Sequence, residues 1–133
     1  MKILGIEHVG IAVKNLKKDA PFWKHILGID NSSTEVLDDQ EVTTDIYDTS
    51  RGKVELLEAT NKNSVISKFI DKYGPGIHHI CFEVDDILKA IEELNFNNIQ
   101  LINDKPTVGA EGYKVIFIHP KSTGGVLVEL AER

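Results

Sequence analysis

The chain has 133 residues, of which 41% are hydrophobic, 27% charged and 7% aromatic, a composition typical of one globular domain. Fifteen Lys and Arg against 21 Asp and Glu give a formal net charge of −6, and the basic residues are scattered, so we expect no nucleic-acid partner. No apolar run approaches the roughly 20 residues of a membrane helix, and the single Cys81 cannot form an internal disulfide. We therefore expect a cytoplasmic protein with no membrane partner, in which Cys81 is a core residue.

The first half of the chain predicts one strand, one helix and three further strands. Residues 3–13 are rich in β-branched side chains. Asn15 can cap a helix whose apolar residues recur at helical spacing until Gly28, and Pro21 marks its true start or a kink. Further strands are predicted over 30–36, 41–47 and 53–58, with a turn at 48–52 joining the last two.

The second half repeats this order after a connecting helix at 64–73, which Gly74 to Gly76 end. A strand is predicted over 77–84, a helix over 86–94, and strands over 100–102, 114–118 and 126–130. The predicted fold class is therefore α+β, with two paired βαβββ modules that form an eight-stranded, cup-shaped mixed sheet. We expect a single domain over 1–133, with module one at about 1–58, the connector helix at about 62–74 and module two at about 77–133.

An internal repeat relates the two halves. At an offset of 71, residues 6–13 match residues 77–84 at three of eight positions, including His8 over His79. At an offset of 74, residues 54–58 match residues 128–132 at four of five positions, including Glu55 over Glu129. Because both matches occur in the same order at nearly the same lag, we interpret them as a duplication.

Each half thus contributes one His and one Glu to strands that are otherwise apolar. A lone Glu between apolar residues usually faces solvent, and a lone strand His is usually hydrogen-bonded or exposed, but their repetition at equivalent places favours a shared site. If one face lines a cup closed by both halves, His8, Glu55, His79 and Glu129 converge on a mixed nitrogen and oxygen site suited to a divalent ion. His78 points to the opposite face by strand parity, and we leave it out of the site.

Several motifs give the chain a resemblance to a known family. The specific ones are GIHHICFEVDD at 76–86 and HPKSTGGVLVEL at 119–130, and the segments at 6–13, 22–28 and 54–58 agree with them. Over almost its whole length the chain resembles the methylmalonyl-CoA epimerases, which belong to the vicinal oxygen chelate (glyoxalase/bleomycin resistance/dioxygenase) superfamily. The resemblance implies paired modules around a divalent metal, an acyl-CoA substrate and a homodimer.

The resemblance also implies roles for single residues. The family's metal ligands fall on His8, Glu55, His79 and Glu129, and cobalt, manganese, nickel, magnesium and zinc all suit such ligands. Glu129 is in addition a catalytic acid/base for the interconversion of the two C2 epimers of methylmalonyl-CoA through a metal-stabilised enolate. Some epimerases carry a second acid/base Glu where this chain has Thr44, so the second proton carrier is unassigned.

A loop before the last predicted strand offers substrate contacts. Lys121, Ser122 and Thr123 can bind the substrate carboxylate or the phosphates of coenzyme A, and a solvated turn is the alternative. His119 either orients this loop or is an ordinary loop histidine.

Three other functions are weighed against the epimerase. A lactoylglutathione lyase (glyoxalase I)-like enzyme uses the same kind of ligand set, but usually shows an Asp-Pro-Asp-Gly type of turn where this chain has HPKS at 119–122. A metal-free small-molecule binding module of the same fold is the second alternative. A ring-cleaving dioxygenase uses two His and one carboxylate on iron, and Glu55 as a fourth ligand argues against it.

Overall fold

The computed structural model describes all of residues 1–133 and contains eight strands and three α-helices in the predicted order. None of the helices is both long enough and apolar enough to cross a membrane. The strands are β1 (Ile3–Ala12), β2 (Ser32–Leu37), β3 (Val42–Asp48), β4 (Lys53–Ala59), β5 (Gly76–Val84), β6 (Thr107–Val108), β7 (Lys114–Ile118) and β8 (Val128–Glu132), and the helices are α1 (Leu16–Pro21), α2 (Val65–Tyr73) and α3 (Ile87–Phe96).

The chain divides into two compact units. One unit comprises residues 8–78, and its strand order is β2-β3-β4-β1, with β1 and β4 parallel and the other pairs antiparallel. The other unit comprises residues 1–7 and 79–133, and its order is β1-β5-β8-β7-β6, with β5 and β8 parallel and β8-β7 and β7-β6 antiparallel. Since β1 contributes to both, the eight strands make one mixed sheet. The predicted α+β class with two βαβββ modules is confirmed.

Helix α1 begins and ends at residues that the sequence marks. The Asn15 side chain caps it by accepting a hydrogen bond from the Lys18 amide at 3.0 Å. Pro21 ends it, and residues 22–26 continue as a π-helical turn closed by the Leu27 amide on the Phe22 carbonyl at 2.9 Å. Gly28 follows at φ 70, a left-handed conformation that glycine adopts without strain.

The strand predicted over 100–102 is reduced to an isolated bridge at the end of β7. Leu101 lies opposite Ile118, the Ile102 amide donates to the Phe117 carbonyl at 2.9 Å and the His119 amide donates to the Gln100 carbonyl at 2.8 Å, whereas the strand β6 lies a few residues later. The Leu101 side chain packs against the cluster of Val84 and Ile116 under α3. The apolar residues in this segment therefore reflect packing in the core. Three residues are too few for their spacing to distinguish such a segment from a regular strand.

Helices cover the sheet within each unit. In the unit of residues 8–78, α2 packs Ile66 on Ala12 and Leu57, whereas α1 packs Leu16 on Leu56. Adjacent residues Leu56 and Leu57 thus lie in different clusters, as strand alternation requires. In the other unit, α3 buries four side chains on the sheet, and burial of each large aliphatic group contributes about 1.5–3 kcal/mol. The four buried residues of α3 are Ile87, Ala90, Ile91 and Leu94.

Cys81 is fully buried beside Val115 and Ala131, as predicted.

Candidate active site

The parallel pair β1 and β4 places a histidine beside a glutamate. Gly10 lies opposite Glu55 in the strand register, and His8, two residues before Gly10, faces the same side of the sheet. The imidazole Nδ1 of His8 is 2.8 Å from Oε2 of Glu55, and the two residues are only 6% and 4% exposed. A buried carboxylate and imidazole thus lie in direct contact in this unit.

The parallel pair β5 and β8 repeats the arrangement in the other unit. Cys81 lies opposite Glu129 in the register, and His79 is two residues before Cys81. The imidazole Nε2 of His79 is 3.2 Å from Oε1 of Glu129, and both residues are buried. The His79 ring also packs edge-on against Phe117, with centroids 5.7 Å apart. The two His–Glu pairs therefore occupy equivalent positions in the two modules.

Neighbouring residues on the same strands behave differently. Leu56 belongs to the apolar cluster under α1, while its neighbour Glu55 contacts His8. The ring of His78 packs edge-on against Phe69 of α2, with centroids 4.9 Å apart. Alternation along the strands thus gives Glu55 and Leu56 different surroundings, as it does His79 and His78.

Burial determines what these pairs can do chemically. An isolated carboxylate is costly to bury, so a buried Glu in an apolar strand requires a hydrogen-bonding, cationic or metal partner. Imidazole nitrogens and carboxylate oxygens are together a donor set for divalent ions such as manganese, cobalt and zinc. Both His–Glu pairs are therefore candidate metal-binding groups.

The loop at 119–125 is held by its own side chains. Nδ1 of His119 accepts a hydrogen bond from the Lys121 amide at 3.0 Å and caps a short 3-10 turn over Pro120–Ser122. Oγ of Ser122 accepts from the Gln100 amide at 2.9 Å, and Oγ1 of Thr123 accepts from the Val126 amide at 3.1 Å. His119 thus orients the loop, and both hydroxyl groups stabilise it, whereas Lys121 is exposed.

Comparison with known proteins assigns the chain to a superfamily. Residues 7–117 match the model of the Glyoxalase/Bleomycin resistance protein/Dioxygenase superfamily, a span that includes His8, Glu55 and His79. The chain belongs to this superfamily. The superfamily predicted from the motifs is confirmed.

Individual relatives narrow the assignment. The mitochondrial methylmalonyl-CoA epimerase of Dictyostelium discoideum is 41% identical over 129 residues, which are 96% of this chain and 78% of the relative. The ethylmalonyl-CoA/methylmalonyl-CoA epimerase of Cereibacter sphaeroides is 36% identical over 129 residues, 96% of each chain. A variant of Streptomyces coelicolor methylmalonyl-CoA epimerase, solved in complex with 2-nitronate-propionyl-CoA, superposes with a TM-score of 0.93 at 31% identity, covering 98% of this chain and 95% of that one.

The chain is a member of the methylmalonyl-CoA epimerase family. The family and the epimerase class of enzyme that the motifs predicted are therefore confirmed. Within this epimerase-family chain, the predicted ligand residues His8, Glu55, His79 and Glu129 form two buried pairs, one in each unit.

The structure adds an observation on each of two further buried polar residues of this epimerase-family chain. Glu7 is buried although it carries a carboxylate. Its position in an apolar strand is the same signal that singled out Glu55, but the repeat places His78 at the equivalent position, so the duplication does not select it. Thr44 has no exposed surface, and its hydroxyl group has no hydrogen-bond partner. The resemblance to the family singles out position 44, but only the structure shows that its hydroxyl is buried and unsatisfied.

Proposed function

We propose that this protein interconverts the two C2 epimers of methylmalonyl-CoA in a metal-dependent reaction that removes and returns the α-proton. The observation that carries the proposal is the pair of equivalent, buried His–Glu contacts in a chain of the epimerase family. The relatives' names support the substrate, since they are epimerases of methylmalonyl-CoA or ethylmalonyl-CoA. The structural relative in complex with 2-nitronate-propionyl-CoA supports the acyl-CoA class.

His8, Glu55, His79 and Glu129 are the proposed ligands of one divalent ion. Two imidazole nitrogens and two carboxylates would hold a cobalt, manganese, nickel, magnesium or zinc ion, all of which suit such donors. When bound, the ion would supply a Lewis acid for the negative charge that develops on the thioester oxygen.

Glu129 is the proposed acid/base. Its carboxylate takes the proton from C2 of the substrate, and a carboxylate positioned in a buried site is a suitable base for this transfer. Inversion at C2 requires a proton to return on the opposite face, and therefore a second proton carrier. Thr44 cannot act as that carrier unaided, because a threonine hydroxyl neither ionises nor takes up a second proton appreciably near neutral pH.

The exposed loop supplies the proposed contact with the remainder of the substrate. Lys121 lies on the turn that His119 caps, and an ammonium group binds phosphate as a point charge. Ser122 and Thr123 contribute by holding the turn in shape through their hydroxyl groups. We further propose a homodimer in a reducing cytoplasm, where the buried Cys81 stays reduced.

Parallel assays test this function against the lyase alternative. Protein purified without chelator is given methylmalonyl-CoA in one assay and the hemithioacetal of methylglyoxal and glutathione in another. We expect epimerisation of the first, detected by exchange of the C2 proton with deuterium, and no turnover of the second. Turnover of the hemithioacetal alone would overturn the proposal.

Elemental analysis of the same preparation tests the metal. We expect about one divalent ion per chain, loss of activity on dialysis against a chelator, and recovery when the ion is restored. A chelated protein that retains full epimerase activity would contradict the metal-dependent mechanism. A protein that binds an acyl-CoA ester without ion or turnover would instead be the metal-free binding module.

A further inference from the structure

The Thr44 hydroxyl is a buried polar group that the folded chain does not satisfy. Thr44 has no exposed surface, so bulk water does not reach it, and Oγ1 has no hydrogen-bond partner in the protein. Leaving a hydroxyl in this state destabilises the folded protein relative to a satisfied hydroxyl. Valine has nearly the same shape and β-strand preference without this cost, so packing alone does not explain a threonine here.

The strand register places this hydroxyl near a proposed metal ligand. On β3, Thr44 is opposite Leu57 of β4, and Ile46, two residues further, is opposite Glu55. Thr44 and Glu55 are therefore diagonal neighbours on one face of the sheet, at a spacing of roughly 7–8 Å for such pairs. A small polar group held between the two side chains would lie within reach of both.

We propose that the Thr44 hydroxyl is a substrate-positioning group that donates a hydrogen bond to an oxygen of the malonyl end of the acyl-CoA ester. This inference rests on the proposed function and adds a residue to that site. The protein provides the hydroxyl with no acceptor, and a ligand that moves aside the side chains covering Thr44 brings carboxylate and thioester oxygens to the face that carries Glu55. The hydroxyl holds the substrate and transfers no proton, so it is distinct from the second acid/base.

A three-variant comparison tests the inference. Thr44→Val removes the hydroxyl and keeps the shape, Thr44→Ser keeps the hydroxyl, and Thr43→Val makes the same change on the neighbouring residue of β3, which faces the other side. Three quantities are measured for each protein. Binding of malonyl-CoA is measured by calorimetry, KM and kcat are determined with methylmalonyl-CoA as substrate, and thermal unfolding is followed without ligand. We expect Thr44→Val to weaken malonyl-CoA binding and raise KM about tenfold, the value of one hydrogen bond to a charged acceptor, with kcat changed much less.

The unfolding measurement separates positioning from a structural role. We expect ligand-free Thr44→Val to unfold at the wild-type temperature or above it, because valine removes an unsatisfied group, and Thr44→Ser to restore substrate binding. Loss of stability in Thr44→Val with unchanged malonyl-CoA affinity would show a structural partner and overturn the inference. Equal binding by all three variants and the wild type would also overturn it. If the wild-type protein neither binds malonyl-CoA nor epimerises, the proposed function itself fails, and the inference falls with it.

Discussion

The carboxylate of Glu58 accepts a hydrogen bond from the backbone amide of Leu16, at a distance of 3.1 Å. Leu16 is the first residue of α1, and Glu58 lies near the end of β4, 42 residues later. The second module repeats the contact, since Glu132 at the end of β8 accepts from the amide of Ile87, the first residue of α3, at 2.9 Å. The duplication thus extends from the His–Glu pairs to the way each module holds its helix.

These two glutamates are expected to stabilise the fold through the helix N-termini. An amide at the start of a helix lacks an intrahelical acceptor, and a carboxylate there also interacts favourably with the helix dipole. We expect Glu58→Ala and Glu132→Ala each to lower the free energy of unfolding by about 1–2 kcal/mol, measured by urea denaturation. Glu92→Ala, at an exposed position of α3, is the control. Stability equal to that of the control in both variants would show that the two contacts are dispensable.

The proposed ligand and base are tested by changes in the second unit. We expect Glu129→Gln to lower epimerase activity at least about 100-fold, because the amide removes the base, and His79→Ala to lose most of the bound ion. Activity is followed by C2 deuterium exchange, ion content by elemental analysis and folding by circular dichroism. His25→Ala, at an exposed position, is the matched histidine control. Full ion content and activity in folded His79→Ala protein would contradict the ligand assignment.

Tyr47 is expected to make the fold sensitive to high pH. Burial raises the pKa of Tyr47 from 10.0 to about 12, and the nearby Asp45 carboxylate adds to the rise. The folded state favours the neutral phenol of Tyr47. The stabilisation that this phenol contributes is therefore complete below pH 10 and is lost as the pH rises toward 12. We expect the unfolding temperature to fall over this interval, and Tyr47→Phe to have a flatter profile there. Profiles of equal slope for the two proteins would exclude Tyr47 as the cause.

Lys121 is expected to contribute to substrate affinity and little to turnover. Its ammonium lies on an exposed turn, where solvent and salt weaken a phosphate contact. We expect Lys121→Ala to raise KM for methylmalonyl-CoA about threefold with kcat unchanged, and the difference to shrink at high salt. Lys17→Ala, an exposed lysine on α1, is the control. A fall in kcat with no change in KM would assign Lys121 a different role.

The duplication made the two buried His–Glu pairs of the candidate site predictable from sequence. A single Glu in an apolar strand is ambiguous, but Glu55 and Glu129 recur at equivalent positions, and the structure pairs each of them with the histidine of its own module. Likewise, the periodicity of apolar residues and the cap at Asn15 predict the helices, because these signals are local.

Other features depend on packing that the sequence does not encode locally. The segment around Leu101 has strand-like side chains, but it forms a single bridge and packs under α3. The hydroxyl groups of Ser122 and Thr123 accept hydrogen bonds from the backbone amides of Gln100 and of the loop. No sequence motif predicts these contacts. The unsatisfied hydroxyl of Thr44 is likewise invisible until the register of β3 is known.

The parallel pairing of the first and last strands in each module has a consequence for folding kinetics. His8 and Glu55 are separated by an intervening helix and two strands, and His79 and Glu129 by a similar stretch. Such non-local strand pairs close large loops and form slowly. Neither His–Glu pair exists in a nascent chain that stops short of its fourth strand, so each pair forms only when its module is complete.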